Sequence, residues 1–286
     1  MISLKKILRQ IYPYSIGLVE QIVISSRTFS KKSSILIYQM GKVGSSTIEK
    51  SLKSAAIKEP VYHIHFLSNE GINFAEQYYR ELNCGLPRHL IRSKMLREAI
   101  TSSSGNSWKI ITLVREPIGR TISNLFQNVQ DAHPQFINKN GTLKITQVTD
   151  YLIQCFNDFN EADDFTCSWL DKEVNKVFRI DTYSYPFDQN KGYSIIQKNN
   201  IEILILRMED MNNNFNEALS RFLNISKPII MEKANIGKKK KYSNDYKSVV
   251  GNIKISDQIC DKIYQSKYVQ HFYSSEMIDS FFKKWS

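Results

Sequence analysis

The sequence predicts an α/β fold with a central, mainly parallel sheet. Three observations carry that expectation. Residues 34–38, 108–114 and 201–207 are short apolar runs rich in Ile, Leu and Val, the composition of strands buried on both faces. Between them lie segments whose apolar residues recur at helical spacing, such as Ile48 and Leu52. Strands alternating with helices imply parallel pairing, because a parallel connection needs a crossover.

The elements follow in order. After the strand 34–38 comes a turn over 39–46 with two glycines, then a helix over 47–56. A second strand is expected at 61–66, and 71–101 is mostly helical with a break at 84–87. The strand 108–114 runs into Arg115-Glu-Pro117, and Pro117 suits the first helical turn, where its missing N–H costs nothing. That helix passes through Thr121, Leu125 and Asn128. Residues 131–175 read as loop and helices, and 177–180 as a further strand. A helix over 214–223 follows the strand 201–207; residues 237–241 form a basic loop, and the chain from 256 is helical. This divides the chain into an N-terminal helical extension, 1–30, and one domain, 31–286.

Composition narrows the function classes. With 42% hydrophobic residues, 11 Gly and 7 Pro among 286, the chain is neither collagen-like, low-complexity nor wholly disordered. A formal net charge of +11 points to an anionic partner: nucleotide, nucleic acid, acidic glycan or membrane surface. Cys84, Cys155, Cys167 and Cys260 form no CxxC pair, which favours free thiols over a zinc site or a disulfide framework. No apolar run approaches the roughly 20 residues of a membrane span. In the extension, Leu4, Ile7, Leu8 and Ile11 oppose Lys5, Lys6 and Arg9, so an amphipathic helix is expected, packed on the domain or lying on a membrane or a partner. It makes a poor signal peptide. The expected location is cytoplasmic, with peripheral contact at the inner face of the membrane left open.

Two loops carry chemistry. In Gln39-Met-Gly-Lys-Val-Gly-Ser-Ser-Thr47, Gly41 and Gly44 allow tight turns, and the start of the following helix presents unsatisfied N–H groups and the positive end of its dipole. Ser45, Ser46 and Thr47 add hydroxyls and Lys42 a mobile cation, the set needed to hold a phosphate or sulfate. The order is not that of a Walker A motif, which places Lys directly before Ser/Thr. In the second loop, Arg115 ends a strand and Ser123 lies eight residues on, where both can converge on one phosphate. Arg120, between them, suits a local ion pair as well as a ligand.

Together these loops resemble the sulfotransferase superfamily. Lys-Val-Gly-Ser-Ser-Thr (42–47) resembles its 5′-phosphosulfate loop, and Arg-Glu-Pro-Ile-Gly-Arg-Thr-Ile-Ser (115–123) its 3′-phosphate motif. Leu-Ile-Leu-Arg-Met-Glu-Asp-Met (204–211) resembles its late strand and turn. Asn190-Lys-Gly-Tyr-Ser194 is similar to the Asn-Lys-Trp-Tyr-Ser signature of bacterial capsular polysaccharide synthesis proteins, with Gly192 in place of tryptophan. The resemblance implies a P-loop-like three-layer α/β/α fold, a 3′-phosphoadenosine 5′-phosphosulfate donor, a carbohydrate acceptor and no metal. Lys42 would contact the 5′-phosphosulfate, with Gly41, Val43, Gly44, Ser45, Ser46 and Thr47 around it. Arg115 and Ser123 would hold the 3′-phosphate. Lys239 and Lys240 of the basic loop would close over the nucleotide.

Transfer to a hydroxyl also needs a general base. His63 and His65 lie on the second strand and are expected on opposite faces. His65, nearer the strand's C-terminal end, is favoured and His63 is the reserve; Glu70 and Glu116 remain alternatives because other superfamily members use Glu. His89, His133 and His271 lie in contexts that point to ordinary structural roles. Two further function classes compete. One is a P-loop-type sugar or nucleoside kinase, disfavoured by the absence of the Walker order. The other is a non-catalytic binder of anionic polymers; nucleic acid is disfavoured, since neither a recognition helix nor a stacking motif is present.

Overall fold

A computed structural model describes residues 33–82, 86–102, 106–232 and 243–286. The N-terminal extension, Cys84, Lys239 and Lys240 lie outside the described residues. Five strands, β1 (Ser33–Tyr38), β2 (Val61–Ile64), β3 (Ser107–Val114), β4 (Tyr193–Lys198) and β5 (Ile201–Arg207), form one sheet in the order β2-β1-β3-β5-β4. All neighbours pair in parallel except β4, which runs antiparallel to β5 at one edge. Ile35 to Tyr38 and Ile203 to Leu206 are almost wholly inaccessible to solvent, as are Ile110, Ile111, Leu113 and Val114 of β3. Burial on both faces explains why these strands read as continuous apolar runs.

Register sets where the loops emerge. Tyr38 pairs with Ile64, and Val114 with Arg207, so the C-terminal ends of β1, β2, β3 and β5 lie along one side of the sheet. Ligands of open α/β sheets bind on that side. The helices after β1 (Ser45–Ser54), β3 (Pro117–Ala132) and β5 (Met211–Leu223) all start there. Pro117 opens its helix as expected, and the Glu116 carboxylate caps it by accepting the Ile118 and Gly119 N–H groups. Helices Asn69–Glu81 and Arg88–Ser102 follow β2, and three short helices close the chain from Asp257 to Trp285. Among the described residues no helix is long and apolar enough to cross a membrane, and Cys155, Cys167 and Cys260 are free thiols.

Two expectations are corrected. Residues 177–180 form no strand: Phe165–Trp169, a π-helical turn at Leu170–Asn175 and Lys176–Phe178 make one continuous helical stretch, ended by Arg179 at φ 57°. Val174 and Phe178, four apart, are both buried, so helical spacing overrode the local Val-Phe preference for strand. Conversely, β4 was not anticipated. As an edge strand half open to solvent it lacks a continuous apolar run, and the turn at Asn199, φ 54°, joins it directly to β5.

The turn entering β4 is held by Arg207, 2% exposed. Its N–H donates to the Gly192 carbonyl (2.8 Å), its guanidinium donates to the carbonyls of Phe272 and Gln189 (2.8 Å each), and its Nε pairs with Asp210. Gly192 sits at φ +68°, and a Cβ there would run into the Asp210 side chain. Left-handed backbone and the close carboxylate together exclude a side chain in this conformation. Gly192→Ala is therefore expected to lower unfolding free energy by about 2 kcal/mol or more, read from urea denaturation midpoints; an unchanged midpoint would show that the turn is not constrained in this way.

Candidate functional site

The loop after β1 turns by two residues in left-handed conformation, Lys42 at φ 75° and Gly44 at φ 93°. Gly44 is the N-cap of the Ser45–Ser54 helix; no side chain caps this end and its first turn carries no acid. A helix start without a side-chain cap, at the positive end of the helix dipole, favours an anion here. Two arginines of the loop after β3 shape the turn. Arg115 donates from its guanidinium to the Lys42 carbonyl (2.7 Å), and Arg120 Nε donates to the Gly41 carbonyl (3.2 Å). In a trans peptide the N–H points opposite the carbonyl, so these bonds turn the Lys42 and Val43 amides away from the guanidinium groups.

A cavity of about 1010 Å³ opens over this turn. Gly41, Lys42, Gly44, Ser45, Ser46 and Thr47 line it from the first loop, and Arg115 and Ser123 from the second. Val43 does not line it; its side chain is fully buried in the core. Lys42 Nζ donates to Gln127 Oε1 across the opening. Arg120, Ser123, Asn124 and Gln127 all line the cavity, and their spacing places them on one face of the Pro117–Ala132 helix. That periodicity is the signal in the sequence that could have added Asn124 and Gln127 to the site.

The charge of the cavity has one sign. Lys42, Arg115, Arg120 and Lys247 line it, and no Asp or Glu does among the described residues. Arg120 is 7% exposed, with its guanidinium 4.5 Å above the Phe165 ring. Burial lowers its pKa to about 10, which leaves it charged at neutral pH. A buried cation facing a cavity without an acid is a standing preference for an anionic ligand.

Both predicted histidines line the same cavity, contrary to the expected opposite faces. Side chains two residues apart along an extended chain share a face, so the expectation of opposite faces was mistaken; the two rings are 5.0 Å apart. His65 Nδ1 donates to the Gln39 carbonyl (2.9 Å), which leaves Nε2 as the acceptor nitrogen. Trp169 Nε1 donates to the His65 carbonyl (3.2 Å). Burial, then the charges of His63 and His89, push the His65 pKa down to about 3. His63 Nδ1 donates to Glu49 (2.9 Å), and chiefly through this bond the Glu49 pKa falls to about 2. His89, expected to be structural, also lines the cavity, 5.1 Å from His65, with a pKa lowered by burial to about 4. Neither alternative base lines the cavity: Glu70 is exposed and bonded to Lys176, and Glu116 is the buried helix cap. Among the described residues no group of three or more His, Cys, Asp or Glu could hold a metal ion.

Comparison with known proteins finds one family. The family described as "Putative capsular polysaccharide synthesis protein" matches residues 143–274, just under half of the chain. No curated protein and no solved structure matches. The matched part reaches the cavity through residues such as Phe165, Met208, Met211 and Tyr246, while the loops that carry Lys42 and Arg115 precede it. Residues 190–194 do not line the cavity. Tyr193 OH donates to Glu217 (2.7 Å), and Ser194 Oγ accepts from the Asp188 N–H (2.8 Å), so the signature braces the entry to β4.

The buried histidines couple stability to pH. Their folded pKa values lie below the ordinary 6.5, so the unfolded chain binds more protons below that pH, and their contribution is lost as pH falls through about 6.5. Buried Glu116, Glu173 and Glu209, whose pKa values are raised, act in the opposite sense. The difference between proteins therefore isolates the histidines. The melting temperature is expected to fall more between pH 7 and pH 5 in the parent than in a His65→Gln, His89→Gln variant; equal falls would contradict neutral burial.

Proposed function

We propose that this chain transfers a sulfuryl group from 3′-phosphoadenosine 5′-phosphosulfate to a carbohydrate hydroxyl, in the synthesis of a capsular or cell-surface polysaccharide. The observation that carries the reading is the acid-free cationic cavity formed where two loops, distant in sequence, meet through the Arg115–Lys42 bond. Such a donor carries anions at two separate points, and two groups of cationic and hydroxyl side chains in the cavity lining suit them. One is the helix start with Lys42, Ser45, Ser46 and Thr47; the other is Arg115 with Ser123. The family match adds the polysaccharide context. A magnesium nucleotide is usually met by one or two carboxylates, and the described lining supplies none.

Bound here, the donor supplies an activated sulfuryl group. His65 Nε2 takes the proton of the acceptor hydroxyl as its oxygen bonds to sulfur, and the bond from sulfur to the phosphate oxygen breaks. Lys42 and the helix N–H groups stabilise the charge that develops on the departing phosphate. Holding the reactants in line contributes the remainder. An anion beside Arg120 offsets part of the positive field that disfavours His65 protonation.

Three outcomes test the reading. In calorimetry, adenosine 3′,5′-bisphosphate binds without magnesium at least about tenfold more tightly than adenosine 5′-phosphate, and Arg115→Ala removes most of that preference; equal binding of the two nucleotides by the parent would sink the 3′-phosphate site. Lys42→Ala lowers turnover by about 10²-fold or more while bisphosphate affinity changes far less; near-normal turnover would remove Lys42 from the chemistry. In NMR titrations the His65 pKa rises when the bisphosphate binds, and a fall or no change would place the anion elsewhere.

A further inference from the structure

The cationic and hydroxyl groups leave much of the cavity lining unused, and a large share of what remains is aromatic. Two rows of rings begin at the reaction centre. From Phe165, beneath the Arg120 guanidinium, the first runs to Phe66 (6.0 Å) and on to Phe74 (6.4 Å). From His65 the second runs to His89 (5.1 Å), Tyr79 (6.3 Å) and Tyr78 (5.5 Å). All of these line the cavity. Phe74 and Tyr78, one turn apart on the Asn69–Glu81 helix, form its outer end.

Core packing accounts for part of this surface only. Phe66 and Tyr79 also pack on Ile72, Ala75 and Leu90. Phe74 is 61% exposed. Among the described residues three large hydrophobic side chains are exposed, the others being Tyr151 and Ile230, and of the three Phe74 alone lines the cavity. An exposed aromatic at the mouth of a polar cavity, continuous with the presumptive base, calls for a ligand with an apolar face.

We infer that these rows are the acceptor subsite, and that they take the C–H face of a neutral pyranose. The inference rests on the transfer reaction proposed above and narrows its substrate. The C–H groups on one face of a sugar ring are weakly positive and meet the negative faces of aromatic rings. Asn124 and Asn128, on the neighbouring helix and also lining the cavity, offer amides to hydroxyls at the ring edge. No Lys, Arg, Asp or Glu belongs to either row, and the two histidines are neutral. A uronate would bring its carboxylate against ring faces that repel it, with the nearby cations already matched by the donor. Because His65 belongs to the second row, a sugar lying on the rings has its hydroxyl edge beside the imidazole.

Saturation-transfer NMR on the full chain, with the protein's aromatic protons irradiated, reads this contact directly. The probes are the methyl glycosides of glucose, galactose and mannose, with methyl glucuronide as the charged control, each measured with and without adenosine 3′,5′-bisphosphate. The expected result is transfer to the C–H protons of one ring face of at least one neutral glycoside. That transfer should fall about fivefold or more in Phe74→Ala and in Tyr78→Ala, while bisphosphate affinity stays at the parent value. Phe74→Trp, which keeps an aromatic face, should retain it. Transfer to no neutral glycoside, transfer unaffected by both alanine variants, or equal transfer to methyl glucuronide would each overturn the inference. The arm without nucleotide reads the aromatic rows even if the bisphosphate does not bind, so a wrong donor and a wrong acceptor subsite give different results.

Discussion

The bonds from Arg115 and Arg120 to the carbonyls of Lys42 and Gly41 are the constraint on which the site depends. They join the loop after β3 to the loop after β1, adjacent strands whose connections would otherwise be independent. Each does two things. It satisfies a loop carbonyl that has no strand partner, and it places a guanidinium at the cavity wall with donors left over. Arg120 is buried without a carboxylate in the cavity, an expensive position that the Gly41 carbonyl and the Phe165 ring only partly relieve. Asp164 is close enough to favour the charged form of Arg120, and the positive field left at the wall suits an anion.

A second buried charge fixes the opposite wall. Glu173, 2% exposed, accepts hydrogen bonds from the Leu67 N–H (2.8 Å), the Ser68 N–H (2.9 Å), Ser68 Oγ (2.6 Å) and the Tyr38 hydroxyl. Burial outweighs these donors and raises its pKa. The carboxylate thereby ties the end of β1 to the turn after β2, the turn that carries His65 and Phe66. Trp169, on the same helical stretch, holds the His65 carbonyl. The π-helical turn at Leu170–Asn175 contains Glu173 and follows directly on Trp169. The family-matched half of the chain therefore shapes the histidine side of the cavity as well as contributing residues to it.

The signature at 190–194 has a different part. Its Tyr193 and Ser194 hold neighbouring backbone and helix, and Gly192 lies against the Arg207–Asp210 pair that ends β5. Met208, the next residue, lines the cavity beside Met211, whose sulfur would lie 3.1 Å from a Cβ at Gly44. The signature acts on the site at one remove, by fixing where β5 stops.

The sequence by itself determined the four parallel strands of the sheet. Runs such as Ile-Leu-Ile-Tyr and Ile-Leu-Ile-Leu have only one stable use, burial on both faces, and Pro117 and the glycines of the first loop mark where strands give way to helices. It also marked both loops whose residues line the cavity, because the cationic and hydroxyl side chains of each are close together in the chain. Tertiary structure decided what is nonlocal. That Arg120 faces the cavity, and that His89 joins His63 and His65 there, depend on how the helices after β2 and β3 lie on the sheet. Edge strand β4 and the helical turn at 176–178 were misread for the same reason: their apolar residues are partners of distant surfaces, and spacing along the chain does not say which surface will be there.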